Sequence, residues 1–272
     1  MPNRTGNASV AQKNGYTSDL SDAAWAKLQS LLPLKRGGRG RPLTIDLRQA
    51  VNAMLYVVKT GCQWANLPKD YPPFQSVYYH FRKWCKDGTW ETIHRALRYE
   101  QRHAKGRPVH PTAAILDSQS VKTTEVGGVR GYDPGKKVKG RKRHILVDTM
   151  GQLLTLVVQP ANLHDRVGAR QVLQRLPPML KRRLRLIWAD GAYRGPLVDW
   201  CLTECQTVLQ IVSPPNDQPG FRVLPRRWVV ERTFAWFGHS RRLSKDYEEC
   251  MQSSEGMIWL ASIQRLLKAL TA

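Results

Sequence analysis

The chain has 272 residues, 42% of them hydrophobic, which suits one large or two modest domains with enough apolar content for a core. Its 43 Lys and Arg against 21 Asp and Glu give a formal net charge of +22; this points to a polyanionic partner, nucleic acid first, over a membrane surface, since no basic helix with an exposed apolar face stands out. No apolar run approaches the ~20 residues of a membrane span, and residues 1–14 lack the apolar core of a signal peptide, so neither is expected.

Residues 1–20 read as a flexible tail. Ser21 or Asp22 caps a first helix through Leu32, with Ala24, Leu28, Leu31 and Leu32 at helical spacing and Pro33 at its end. A basic, glycine-rich linker, Lys35 to Pro42, follows. The second helix starts near Asp46, carries Ala50, Met54, Val57 and Val58, and stops at Gly61. After a proline-rich turn, two more helices are expected over Phe74–Cys85 and Trp90–His103. Four short helices joined by tight turns predict an all-α unit over 21–105, of the helix-turn-helix type that binds DNA. Gly106, Pro108 and Pro111 mark a linker.

From Thr112 the texture changes. Ala113–Asp117 is a short apolar run ending in an acid. His144–Asp148 and Leu153–Val158 flank a turn at Thr149–Gly151, the pattern of a hairpin. Asp165 is the expected cap of a helix to Leu176. Leu184–Asp190 repeats the apolar run with a terminal acid. A helix from Pro196, a strand from Thr207 and helices over Trp228–His239 and Ser253–Leu270 complete residues 112–272 as a mixed α/β sheet with flanking helices. The cysteines, Cys62, Cys85, Cys201, Cys205 and Cys250, form no CxxC pair; a zinc ribbon is not expected, and Cys201 and Cys205, one helical turn apart, read as packing residues.

Asp117 and Asp190 each close an apolar run. If both runs are central strands, the two carboxylates lie at one rim of the sheet, where open α/β sheets collect function. Their repulsion would be relieved by a divalent cation of the magnesium type, which takes one or two carboxylates plus water and phosphate oxygens. Glu231, on a helix with Val230, Phe234 and Phe237 facing a core and Arg227 one turn earlier, is the third candidate ligand; two ions clamp the oxygens of a phosphoryl displacement. Taken singly, an Asp after a strand is usually a turn former and a Glu on a basic helix an ion-pair partner. The combination in a basic chain favours the metal reading.

Three blocks, Leu116–Lys122, Ala189–Tyr193 and Val230–Trp236, resemble the catalytic blocks of bacterial insertion-sequence transposases of the DDE class, closest to the IS-five family. Residues 64–68 and 241–248 resemble that family's N-terminal and C-terminal regions. The resemblance implies a ribonuclease H-like catalytic fold. It also implies Asp117, Asp190 and Glu231 as the metal-binding catalytic triad, Mg²⁺ as cofactor with Mn²⁺ able to substitute, and a bacterial cytoplasmic protein associated with the nucleoid. The expected activity is binding of an element's terminal inverted repeats, followed by metal-dependent strand cleavage and strand transfer on double-stranded DNA. Synapsis of two ends would join two copies as a homodimer, although no heptad pattern marks one. The related IS-four group has Tyr, Arg, Glu and Lys around the glutamate; here Leu224 and Gly238 stand where the Tyr and Lys would fall, so those roles do not carry over. The rivals are a metal-dependent nuclease of the same fold and a non-catalytic DNA-binding regulator.

Further basic residues are candidate DNA contacts. Lys137, Lys139, Arg141 and Lys142 lie in a dense basic run before a strand, where phosphate contact competes with a solvated loop. Arg39 and Arg41 resemble a minor-groove-reading core, with a plain linker as the alternative. Arg227, Arg241, Arg242 and Lys245 surround the last block. His164 beside Asp165 could approach the metal site, though capping explains that pair more simply. Asp148 reads as structural, and Trp188, Trp228 and Trp236 read as core.

Overall fold

Local rules set the first helices of the computed structural model, which describes residues 15–33, 45–125, 128–213 and 226–272. Ser21 caps α1 (Asp22–Leu31) by accepting from the Ala24 amide. Asp46 caps α2 (Leu47–Thr60), and Gly61 ends it at φ +75°, a left-handed turn that a side chain would strain. The path to α3 (Phe74–Lys86) is not the tight turn expected. It runs over residues 61–73 through a 3-10 turn at Trp64–Asn66, and Pro68, Pro72 and Pro73 keep it from continuing as helix. Asp87 and Gly88 make a tight turn into α4 (Thr89–Ala104).

The sheet comprises β1 (Ala113–Lys122), β2 (Gly131–Asp133), β3 (Val138–Asp148), β4 (Leu153–Pro160), β5 (Leu186–Ala189) and β6 (Val208–Ile211). Between and after them lie α5 (Asp165–Gln174), α6 (Pro178–Arg183), α7 (Pro196–Cys205), α8 (Trp228–Gly238) and α9 (Met251–Thr271). The apolar pattern announces neither β2 nor α6. β1 does not stop at Asp117, because residues 118–122 continue its ladder with residues 144–140 of β3. The cap of α5 is His164, whose ring accepts from the Arg166 amide; Asp165 instead accepts from Ser118 and pairs with Lys142.

β1 is central. β3 pairs antiparallel with it on one side and β5 pairs parallel on the other; β4 and β2 flank β3, and β6 runs parallel beside β5. This order and these directions fit a ribonuclease H-like sheet. Side chains alternate between two apolar layers. Ile115, Ile145, Val147 and Trp188 face a core built with α1–α4, α8 and α9. Ala114, Leu116, Leu146, Ile187 and Ala189 face α5, α6 and α7. Trp188 is buried as expected, but Trp228 is 41% exposed, because it opens α8 with one face stacked on the Arg232 guanidinium.

One core joins the helical layer to the sheet. α9 packs against α1, α2, α3 and α4 and against β4. Asp148 reads as expected: buried, it accepts from the amides of Met150 and Gln152 in the β3–β4 turn and pairs with Arg102 of α4. Arg98 adds a bond to the Leu153 carbonyl at 3.2 Å. Among the described residues no helix is long and apolar enough to cross a membrane.

Candidate active site on two adjacent parallel strands

The register of β1 against β5 pairs Ile115 with Trp188. Two residues further on, Asp117 and Asp190 are therefore neighbours on adjacent parallel strands, and both project to the face that Ile115 and Trp188 share. Asp190 lies just past β5, in extended backbone, and caps a 3-10 turn at Gly191–Tyr193. Each acid commits one oxygen locally: Asp117 Oδ1 accepts from the Ser118 amide at 2.7 Å, and Asp190 Oδ1 from the Ala192 amide at 2.9 Å. The remaining two oxygens converge on one nitrogen. Arg227 Nη2 stands 3.4 Å from Asp117 Oδ2 and 3.7 Å from Asp190 Oδ2.

Burial dominates the electrostatics. The Asp117 side chain is 15% exposed and that of Asp190 33% exposed. Desolvation pushes the Asp117 carboxyl up to about 6; the Ser118 amide and the Arg227 guanidinium pull the other way. Lys136 reaches the Ser118 carbonyl at 3.1 Å, adding positive charge at the rim. The hydroxyl of buried Tyr193, in the same block as Asp190, has no hydrogen-bond partner among the described residues.

Arg227 is held where it is by the seating of α8. Val229, Val230, Thr233 and Phe237 are buried, Thr233 donates to the Gly151 carbonyl at 3.0 Å, and Arg232 donates to the Met150 carbonyl at 3.1 Å. Gly151, at φ +81°, permits this contact, since a Cβ there would lie 2.9 Å from Thr233 Oγ1. Glu231 follows Arg227 by four residues, so it shares that helix face one turn on. It is exposed, and among the described residues no group of three or more acidic, His or Cys side chains is gathered to hold a metal ion. The structure thus brings Asp117 and Asp190 together and leaves Glu231 outside the pair.

The expected DNA contacts divide. Lys137, Lys139, Arg241 and Lys245 are exposed. Arg141, Lys142 and Arg242 are buried and engaged, which corrects their reading as phosphate contacts. Arg141 is 0% exposed; it pairs with Asp246 at 3.3 Å and donates to the carbonyls of Glu248 and Glu249. Lys142 pairs with Asp133 and Asp165, and Arg242 pairs with Glu248 and donates to the Cys62 carbonyl. The cause is that residues 140–143 lie within β3 where it is covered on both faces, in place of the solvated loop that was the alternative to phosphate contact. Arg227, expected at DNA, bridges the two aspartates. His164 is an exposed cap. Arg39 and Arg41 lie outside the described residues. The Ser118–Asp165–Lys142–Asp133 network has no sequence signal, because it joins residues from four elements.

The described residues thus form a mixed α/β unit in which two aspartates from adjacent parallel strands face one guanidinium. Residues 109–267 match the family model described as "Transposase DDE domain", and residues 20–94 match the one described as "Putative transposase of IS4/5 family". The chain belongs to the DDE-domain transposase family. It is 29% identical over 125 residues, 43% of this chain, to the "Putative transposase for insertion sequence element IS402" of Burkholderia cepacia. That match spans 59% of the relative's length. A second protein of Burkholderia cepacia, "Insertion element IS402 uncharacterized 16.2 kDa protein", is 29% identical over 121 residues, 42% of this chain and 80% of its own length. Among solved structures, "Crystal structure of the Mos1 mariner paired end complex with Mn" matches over 90% of this chain and 67% of that one, at 13% identity and a TM-score of 0.29.

Proposed function

We propose that this chain is the DNA transposase of an insertion sequence, cutting and joining DNA strands at the ends of its own element. The observation that carries the reading is the convergence of Asp117 and Asp190 on one guanidinium nitrogen, 3.4 and 3.7 Å away. Two carboxylates aimed at a single positive group offer the all-oxygen donor set that suits a hard divalent cation of the magnesium type, Mn²⁺ included. Asp117 and Asp190 would hold such an ion, and Glu231, on the face of Arg227, would complete the set when α8 or its side chain turns inward. When bound, the ions supply charge neutralisation and activation of an attacking oxygen.

The chain's own groups supply the rest. The amides of Ser118 and Ala192 fix the rotamers of the two acids, so the ligand oxygens are oriented before any ion arrives. Exposed Lys137 and Lys139 beside the sheet, and Arg241 and Lys245 after α8, would neutralise phosphates of double-stranded DNA. The helical layer, α1–α4, would bind the terminal inverted repeats in the manner of a helix-turn-helix unit, and the sheet would carry the chemistry. Two copies would meet at synapsis of two ends.

The test is incubation of the protein with Mg²⁺ and the DNA that flanks its gene, with cuts mapped at nucleotide resolution. We expect discrete cuts at the element ends that vanish without divalent ion and in Asp117→Asn and Asp190→Asn. Cutting that is dispersed along any duplex supports the plain nuclease instead, and no cutting at all supports the non-catalytic regulator.

A further inference from the structure

Among the described residues, α3 is a long helix whose outward face carries no acidic side chain. Its inner face is anchored, with Val77, His80, Phe81 and Trp84 buried. Its outer face presents Gln75, Ser76, Tyr79, Lys83 and Lys86, all exposed, with Tyr79 at 63%. Gln75, Tyr79, Lys83 and Lys86 follow one another at helical spacing, so they form a single stripe. Of the other helices longer than two turns among the described residues, α2 also lacks an acid, and eight of its residues are buried. α4 exposes Glu100, and α7 carries Asp199 and Glu204.

The base of α3 borders a cavity of about 370 Å³ that Tyr78 and Arg82 share with Val129, Arg141, Glu249 and Met251, which links the helix to the loop before the β2–β3 hairpin. Arg82 itself is spoken for: it donates to Ser253 at 2.6 Å and so fastens α3 to α9. Asp87, at the C-terminal end, is engaged by the Thr89 amide and hydroxyl. The stripe therefore presents an amide, a hydroxyl, a phenol and two ammonium groups, with the Asp87 carboxylate exposed at its C-terminal end.

We infer that α3 is the helix that reads the DNA, lying in the major groove with Gln75, Ser76 and Tyr79 toward base edges and Lys83 and Lys86 toward phosphates. The inference rests on the transposase reading and names the reading element within it. An α-helix with its side chains is about 10–12 Å across and the major groove is about 12 Å wide, so the fit is steric as well as electrostatic. The polar residues lie in the first half of the helix, where recognition helices contact bases. Gln pairs with the N6/N7 edge of adenine, and an aromatic ring packs on a thymine methyl.

The experiment measures binding of the full chain, without divalent ion, to a duplex from the DNA flanking its gene and to a scrambled duplex of equal composition. Gln75→Ala and Tyr79→Ala are expected to lower the preference for the flanking duplex by about tenfold or more while leaving scrambled binding unchanged. Lys83→Ala and Lys86→Ala are expected to weaken both duplexes equally and to flatten the salt slope by about 0.9 each. Unaltered melting temperatures would exclude misfolding, since all four side chains are exposed. A wild-type preference that survives in both Gln75→Ala and Tyr79→Ala overturns the inference while leaving the transposase reading intact. Variants that change oligomeric state but not DNA preference assign the stripe to a protein contact, and also overturn it. A wild-type protein with no preference overturns both.

Discussion

Asp117 is the residue on which burial and charge act most strongly against each other. Its carboxyl, pushed from 3.8 to about 6 by desolvation, holds a proton between about pH 4 and 6 that the unfolded chain has lost. Folding stability from this group therefore declines as pH rises through that window and stays low above it. A gap of about two pH units at 1.36 kcal/mol each is about 3 kcal/mol, with the opposing pull of Arg227 already included. We expect Asp117→Asn to melt higher than the wild type above pH 6 in divalent-free buffer, with the difference shrinking to near zero by about pH 4. Equal melting temperatures across that range would show that the acid is already compensated. The acids were legible because each ends an apolar run. Their convergence was not, since it depends on the Ile115–Trp188 register, which no single run encodes. Nor was the bridging role of Arg227, which lies 110 residues from Asp117 in sequence.

At the scale of elements, the clearest misreading concerned the basic run into β3. Alternation along a strand sends Arg141 and Arg143 to one covered face and Lys142 to the other. Arg141 meets Asp246 and Arg143 meets the carbonyls of Leu243 and Lys245, so the C-terminal segment is pinned to the sheet through buried guanidinium groups. Composition reports that these residues are charged; only pairing with β1 and β4 decides that they are inside. Arg141→Ala would leave Asp246 buried without its partner, at a cost of about 3–5 kcal/mol, visible as a lower melting temperature. Lys137→Ala with Lys139→Ala should leave the melting temperature unchanged and flatten the salt dependence of DNA binding. A stable Arg141→Ala protein with a flattened slope would return Arg141 to the DNA surface. Helix ends fared better, because Ser21, Asp46 and Gly61 act through their own backbone neighbours.

At the scale of the whole molecule, the first and last parts of the chain pack into one core. α9 fills the centre of the helical layer, where Met257, Ile258, Leu260 and Ile263 are buried with residues of α1–α4. Gln264 also donates to the Ser18 carbonyl at 3.1 Å. A fragment of residues 15–105 would expose that apolar surface. We expect it to be unfolded alone by circular dichroism and to gain helix when a peptide spanning residues 246–272 is added; a fragment that folds unaided would show the helical unit to be autonomous. Sequence patterning located every one of these helices except α6, but it cannot say which helices meet, and the linker signals at Gly106, Pro108 and Pro111 suggested a division that α9 crosses.

Glu231 is proposed to join Asp117 and Asp190 in one metal-dependent site, although it stands exposed and outside that pair. The direct measurement is strand cleavage of the flanking DNA at saturating Mg²⁺ by Glu231→Gln, with Glu204→Gln on α7 as the control. Both substitutions keep side-chain size at an exposed helical position, so folding and DNA binding should persist in each. The account predicts that Glu231→Gln binds the DNA but loses cleavage, while Glu204→Gln cuts like the wild type. Cleavage by Glu231→Gln at near wild-type rate would contradict it.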